Sequence, residues 1–155
     1  MDTKAFREGF RDGIPIGLGY LAVSFSLGIS AKQAGLTPLQ GFVTSFLENA
    51  SAGEYIAFTL IGAGATYIEL CLMTIIANAR YLLMSCAMSQ RFSPDTPMIH
   101  RFFVAFDLTD ELFGITIARP GCLNPYYIYG AILLAAPAWA SGTALGIIAG
   151  NLLPL

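Results

Sequence analysis

Charged residues are scarce in this sequence. They make up 12% of its 155 residues, whereas about a quarter of a typical soluble domain is charged. Hydrophobic residues make up 55%, and the mean hydropathy is +0.65. This balance excludes an ordinary soluble domain and predicts one integral membrane domain, an all-α, polytopic transmembrane helical bundle. At about 20 residues per spanning helix, the chain has room for about four to six passes or half-passes.

Residues that bind metals or catalyse reactions are equally scarce. There is one histidine, and the three cysteines lack a Cys-x-x-Cys spacing, so the usual metal-site patterns are missing. The net charge is only −2 and no run of like charges occurs, which argues against a nucleic-acid partner. Phosphate-loop, nucleophile-elbow, zinc-protease and dinucleotide motifs are also missing. We therefore expect no enzyme activity, no catalytic residues, no metal and no cofactor; the expected surroundings are a lipid bilayer.

Hydrophobicity divides the chain into six segments. The predicted segments are an interfacial N-terminus at 1–13, a transmembrane helix at 14–34, a broken or re-entrant segment at 39–61, a transmembrane helix at 65–88, a short helix at 102–118 and a transmembrane helix at 126–150. Three basic residues precede the first transmembrane helix and only Lys32 follows it. By the positive-inside rule, the N-terminus of this multi-pass protein is predicted to be cytoplasmic.

Two glutamates interrupt the segment 39–61. Glu48 and Glu54 lie in its middle, where a charge costs about 2.5 to 3.5 kcal/mol on membrane-insertion scales. The hydrophobic arms on either side are too short to span separately, so the segment is either one broken crossing or a re-entrant hairpin. Broken backbone at membrane depth is stable only where it is buried in protein or lines a cavity. A plain loop between two short hydrophobic pieces is the remaining alternative.

Further charges interrupt the later hydrophobic segments. Glu69 and Arg80 are eleven residues apart, so they share one face of the predicted helix 65–88 and mark a candidate cavity wall. Alternatively, Arg80 snorkels from the end of that helix. On a helix over 102–118, Asp107 and Glu111 share a face and repel unless one is protonated or a cation lies between them. The alternative is a charged helix at the membrane interface.

Four motifs follow one another along the chain. They are Gly13-Ile14-Pro15, Ser51-Ala52-Gly53-Glu54-Tyr55, Asn78-Ala79-Arg80-Tyr81 and Thr109-Asp110-Glu111. In this order they resemble the AzlC/YgaZ family of branched-chain amino-acid transport proteins, and the Asn-x-Arg and Thr-Asp-Glu elements are the most specific. The resemblance implies the large subunit of a permease that exports branched-chain or related amino acids across the bacterial cytoplasmic (inner) membrane. It also implies a partner, a small hydrophobic membrane subunit of the AzlD type.

The sequence departs from the family pattern at two places. The family commonly has glutamine at the position of Glu54, which puts the coupling ion or the substrate in question. Most members also continue for several hydrophobic segments past the position of Leu155, so we expect this chain to lack the usual C-terminal helices. A non-transporting membrane scaffold, a remnant that only binds its partner, is therefore the alternative function.

On this resemblance, a zwitterionic substrate requires a carboxylate site, an ammonium site and an apolar pocket. The candidate substrate-binding residues are Ser51, Gly53, Glu54, Glu69 and Asn78. We expect a half-helix that starts at Ser51 to Gly53 to bind the carboxylate through its N–H groups. Glu54 or Glu69 is expected to meet the ammonium group or to carry a coupling proton.

An ion pair completes the predicted site. Arg80 with Asp110 or Glu111 is the candidate pair. Its expected role is either a gate or a structural lock.

Overall fold

The fold is entirely helical over residues 2–152, which a computed structural model describes. The helices in this range are α1 (Thr3–Gln33), α2 (Pro38–Glu48), α3 (Ser51–Gly62), α4 (Tyr67–Asn78), α5 (Arg80–Ser89), α6 (Met98–Phe106), α7 (Asp110–Ile117) and α8 (Pro125–Leu152). No strand occurs in the described range. The prediction of an all-α membrane protein is confirmed.

Among the described residues, two helices are long and apolar enough to cross a membrane. They are α1, with 31 residues, and α8, with 28 residues. The helices α4 and α5 together qualify as a third span if the break between them is counted as part of one crossing. Residues 126–150, predicted as a transmembrane helix, lie within α8.

Four predicted segments have different boundaries in the structure. Residues 1–13 and 14–34 were expected to be separate, but α1 runs through both from Thr3, so Pro15 lies inside the helix. The predicted helix 65–88 is interrupted at Ala79, whose N–H donates to the Ile76 carbonyl three residues back, at 3.3 Å, and closes a tight turn. The predicted helix 102–118 is two helices, α6 and α7.

A capping threonine separates α6 from α7. Thr109 has an extended backbone, and its hydroxyl accepts a hydrogen bond from the Leu112 N–H at 3.4 Å. This is the usual geometry of an N-cap. Asp107 follows α6 as its C-cap, whereas Glu111 belongs to the first turn of α7. The two acids therefore do not lie on one continuous helix, as the spacing of four had been expected to place them.

The chain forms two compact units. The first unit comprises residues up to 16 with residues 80–135, and the second comprises residues 17–79 with the described residues from 136 onward. Apolar side chains from several elements form a core cluster in the first unit. Its buried members are Met88, Phe92, Val104, Leu108, Leu123, Tyr127 and Ile128.

Small residues bring two helices together in the second unit. A side chain at Gly28 of α1 would overlap the Thr143 carbonyl oxygen and come within 2.8 Å of the Gly146 Cα. A side chain at Gly142 of α8 would likewise overlap Leu21 and Ser24 of α1. The glycines therefore allow close backbone contact between α1 and α8, as small-residue patterns do in membrane helices.

Candidate functional site

The break between α2 and α3 is formed by two residues with non-helical backbones. Asn49 adopts the left-handed conformation, with φ 44° and ψ 37°, and its N–H donates to the Ser45 carbonyl at 3.0 Å. It is the one non-glycine residue with positive φ between residues 2 and 152. Asparagine tolerates this region better than most residues. Ala50 then returns to an extended conformation, and α3 begins at Ser51.

The first turn of α3 has no side-chain cap. Ala50 occupies the N-cap position and has no hydroxyl or carboxylate to offer. The first helical hydrogen bond of α3 is donated by Glu54 to the Ala50 carbonyl at 2.8 Å. The N–H groups of the preceding residues, Ser51 to Gly53, lie before that bond, where helices leave their donors unsatisfied. This turn can therefore bind an anionic group.

Glu54 is completely buried, and neutral hydrogen-bond donors hold its carboxyl group. The indole Nε1–H of Trp139 donates to Oε2 at 2.6 Å, and the hydroxyls of Ser45 and Thr143 contact Oε1, Thr143 at 3.4 Å. A buried carboxyl group is tolerated only when it is paired or hydrogen-bonded. These bonds join α3 to α2 and α8, so Glu54 connects three helices of the second unit.

Glu48 lies on the other side of the break, and one of its oxygens has no partner. The Asn78 side chain hydrogen-bonds to Glu48. Glu48 Oε1 and Asn78 Oδ1 are both buried, and neither has a hydrogen-bond partner. The Asn78 amide nitrogen is therefore the donor, and two acceptor oxygens remain available. Glu48 and Asn78 are thus brought together, although they are thirty residues apart in the sequence.

Because Gly53 has no side chain, Glu48 and Asn78 can lie directly beside its backbone. A Cβ at this position would overlap Glu48 Oε1, and it would come within 2.5 Å of Asn78 Nδ2 and 2.8 Å of Asn78 Oδ1. The unpartnered oxygens therefore converge next to the uncapped first turn of α3. Acceptors and N–H donors at one place can bind the two ends of a zwitterion.

Glu69, a candidate substrate-binding residue, lies at the N-terminus of α4. It forms a capping box with Thr66 at the start of α4, where its Oε2 accepts hydrogen bonds from the Thr66 N–H at 2.8 Å and hydroxyl at 2.9 Å. The side chain is exposed and satisfies the helix end rather than joining the Glu54 cluster. The face that it was expected to share with Arg80 is also interrupted, because α4 ends at Asn78.

Arg80 lies in the first unit and contacts Asp110. Its Nη1 is 2.8 Å from Asp110 Oδ2, and the two side chains are 44% and 45% exposed. The guanidinium group also lies over the Tyr81 ring, 5.2 Å from its centroid. The structure therefore places Arg80 with Asp110, one of the two acids considered for it, in an exposed ion pair.

Sequence reasoning missed four contributors to the site. Ser45, Trp139 and Thr143 were not identified, and Glu48 was noted only as an unexplained charge. A signal for two of them exists, since Trp139 and Thr143 are hydrogen-bonding residues four positions apart in a charge-free segment and share a helix face. Nothing local in the sequence indicates which carboxyl group this face meets.

The described residues contain no cluster of acidic, histidine and cysteine side chains typical of a metal centre. Over residues 2–152, no group of three or more histidine, cysteine, aspartate or glutamate side chains could hold an ion. What the break offers instead is a hydrogen-bonded carboxyl group, two unpartnered oxygens and an uncapped helix start. These groups are suited to binding an organic zwitterion.

Relatives match the chain along nearly its whole length. An uncharacterized membrane protein of Archaeoglobus fulgidus is 30% identical over 153 residues, which cover 99% of this chain and 66% of the relative. The inner membrane protein YgaZ of Escherichia coli is 25% identical over 153 residues, covering 96% and 62%. The branched-chain amino acid transport protein AzlC of Bacillus subtilis is 25% identical over 150 residues, covering 95% and 58%.

The chain spans a little less than two thirds of the length of these curated relatives. No solved structure matches it. The sequence model of one family, described as AzlC protein, matches residues 15–153. Because this match covers most of the sequence, the chain belongs to the AzlC family, a transport-associated family of membrane proteins and not a family of enzymes.

Proposed function

We propose that this chain is a subunit of a secondary transporter that exports branched-chain or related amino acids across the bacterial cytoplasmic membrane. Membership of the AzlC family supports transport, and one relative is named as a branched-chain amino acid transport protein. Another relative is named as an inner membrane protein.

The observation that carries this proposal is the break at Asn49 and Ala50. The break ends α2 and starts α3 among hydrophobic residues. Because the N-cap residue Ala50 has no polar side chain, it forms no side-chain hydrogen bond to the first N–H groups of α3. Secondary transporters commonly bind substrates at such discontinuous helices, whose N-termini attract anionic groups. Ser51 and Gly53 therefore provide N–H groups for the substrate carboxylate.

Glu54 has a structural role in the proposed binding site. Its hydrogen bonds to Ser45 on α2 and to Trp139 and Thr143 on α8 hold the first turn of α3 in position. Because these donors already occupy both oxygens, Glu54 is a positioning residue and does not meet the substrate. Glu69 acts only as a helix cap.

The remaining assignments follow from the family and from the charges. The Arg80–Asp110 pair serves as a structural lock, or as a gate if it opens during transport. The N-terminus is cytoplasmic, because basic residues precede the first span. A small hydrophobic subunit of the AzlD type is the proposed partner.

Export from cells tests this function. A host that lacks its own branched-chain amino-acid exporter is loaded with leucine-containing dipeptides, and intracellular leucine is measured with the chain alone, the partner alone and both together. We expect leucine to fall fastest when both are present. The rival function, a non-transporting scaffold, gives co-purification of the two proteins without any increase in efflux.

A further inference from the structure

We propose that Glu48 and Asn78 bind the ammonium group of the transported amino acid. This inference rests on the proposed transport function and specifies how the same site recognises its substrate. Glu48 Oε1 and Asn78 Oδ1 are the atoms concerned, since both are buried and neither has a hydrogen-bond partner.

The internal hydrogen bond of the pair sets its geometry. The Asn78 amide donates to Glu48 and so fixes the two side chains against each other. Both unpartnered oxygens then lie beside the Cα of Gly53, because a Cβ at that position would touch both of them. Two acceptors from α2 and α4 therefore converge on the first turn of α3.

An ammonium group matches this arrangement chemically. It has three N–H donors and no acceptor, and it forms its strongest hydrogen bonds to carboxylates. Buried polar oxygens in folded proteins are nearly always partnered, so an unpartnered pair indicates a missing donor. The N–H groups at Ser51 to Gly53 lie next to the pair and can hold the carboxylate of the same molecule.

Glu54 is unsuited to this role, although it is the more deeply buried of the two glutamates. Both of its oxygens already contact donors, Trp139 on Oε2 and the two hydroxyls on Oε1. A substrate ammonium would have to displace at least one of them. At Glu48 an ammonium group would displace no donor, since Oε1 has no hydrogen-bond partner.

Substrate analogues that lack one end test the assignment. Membrane vesicles carrying the native assembly are assayed for displacement of radiolabelled leucine by leucine, by 4-methylpentanoate, which lacks the amino group, and by 3-methylbutylamine, which lacks the carboxylate. The wild type is expected to prefer leucine to 4-methylpentanoate by at least about tenfold, the value of a hydrogen bond to a charged group. Glu48→Gln is expected to weaken leucine binding at least about tenfold while binding 4-methylpentanoate as the wild type does.

A matched control and a second variant keep the test interpretable. Asp95→Asn neutralises one exposed carboxylate outside the site and is expected to leave the preference unchanged. Binding is normalised to the amount of each variant in the vesicles. If Glu48→Gln does not insert, Asn78→Ala is measured instead and is expected to reduce the preference for leucine.

A sodium ion is the other source of a positive group for these oxygens, so the assay is repeated with N-methylglucamine replacing Na⁺. Ammonium binding predicts that the preference for leucine is the same in both salts. The inference is wrong if Glu48→Gln abolishes a sodium requirement but keeps the analogue preference. It is also wrong if the variant binds leucine as tightly as the wild type. If the wild type neither binds nor exports any amino acid, the proposed function itself fails.

Discussion

Carboxylates in the two units have different kinds of partner. In the first unit, Arg119 is 2.7 Å from Glu8 and 3.8 Å from Asp12, and all three side chains are about two fifths exposed. In the second unit, Glu54 is fully buried and its donors are an indole and two hydroxyls. All the basic residues of the chain except Lys32 lie in the first unit.

This difference predicts in which unit a substitution has the larger effect on the free energy of unfolding. Exposed ion pairs contribute about 0 to 1 kcal/mol, because water and salt screen them. Buried polar groups cost about 1 to 3 kcal/mol each when they lose a partner. We therefore expect substitutions in the second unit to be more destabilising, even though the first unit has most of the charges.

Removal of the Glu54 side chain is expected to have the largest effect on stability. Glu54→Ala leaves the Trp139 N–H and the Ser45 hydroxyl buried without an acceptor and also creates a cavity. We expect a loss of about 2 to 5 kcal/mol, from about 1 to 3 kcal/mol for each donor left without an acceptor together with the cavity. Denaturant unfolding in detergent micelles, followed by tryptophan fluorescence, measures it. An unchanged unfolding midpoint would contradict the supporting role of Glu54.

Loss of one donor to Glu54 is expected to have an intermediate effect. Trp139→Phe keeps an aromatic ring next to Tyr20, whose centroid is 5.2 Å away, but removes the N–H that binds Oε2. We expect a loss of about 1 to 3 kcal/mol from the unsatisfied oxygen. The same unfolding experiment, followed by circular dichroism because the only tryptophan is removed, measures it. If the loss is as small as that of Thr143→Val, whose contact with Oε1 is longer at 3.4 Å, the indole is not the main donor.

Disruption of the exposed pair in the first unit is expected to have the smallest effect on stability. Arg80→Gln and Asp110→Asn each remove one side of a pair that is nearly half exposed. The interaction energy from the double-mutant cycle is expected to be below about 1 kcal/mol. A coupling energy above about 2 kcal/mol would show that this pair is as sensitive as the buried network and would remove the contrast between the units.

Part of this fold can be predicted from the sequence because single residues determine it locally. The break in segment 39–61 is visible as two glutamates and an asparagine among apolar residues, and α3 begins at Ser51, within the stretch expected to start a half-helix. Thr37, with Pro38 and Gln40, forms the N-cap of α2. Such caps depend on neighbouring residues only.

The partners within the site could not be predicted, because they are distant in sequence. The indole of Trp139 meets Glu54 across 85 positions, and no periodicity of α8 indicates that contact. Glu69 is the opposite case. Its capping partner, Thr66, is three residues away, so neighbouring residues alone are enough to predict the capping box.

Glu48 and Glu54 flank the same break but are assigned different roles, and a ligand-dependent unfolding measurement separates these roles. Leucine at a hundred times its dissociation constant is expected to stabilise the wild-type protein by about 2.7 kcal/mol. Glu48→Gln is expected to unfold at or above the wild-type midpoint without leucine, since its amide keeps an acceptor and adds an N–H donor near the unpartnered Asn78 Oδ1. At the same leucine concentration, a tenfold weaker affinity limits its stabilisation to about 1.4 kcal/mol. A leucine-induced shift in Glu48→Gln equal to that of the wild type would contradict the assignment of Glu48 to the substrate.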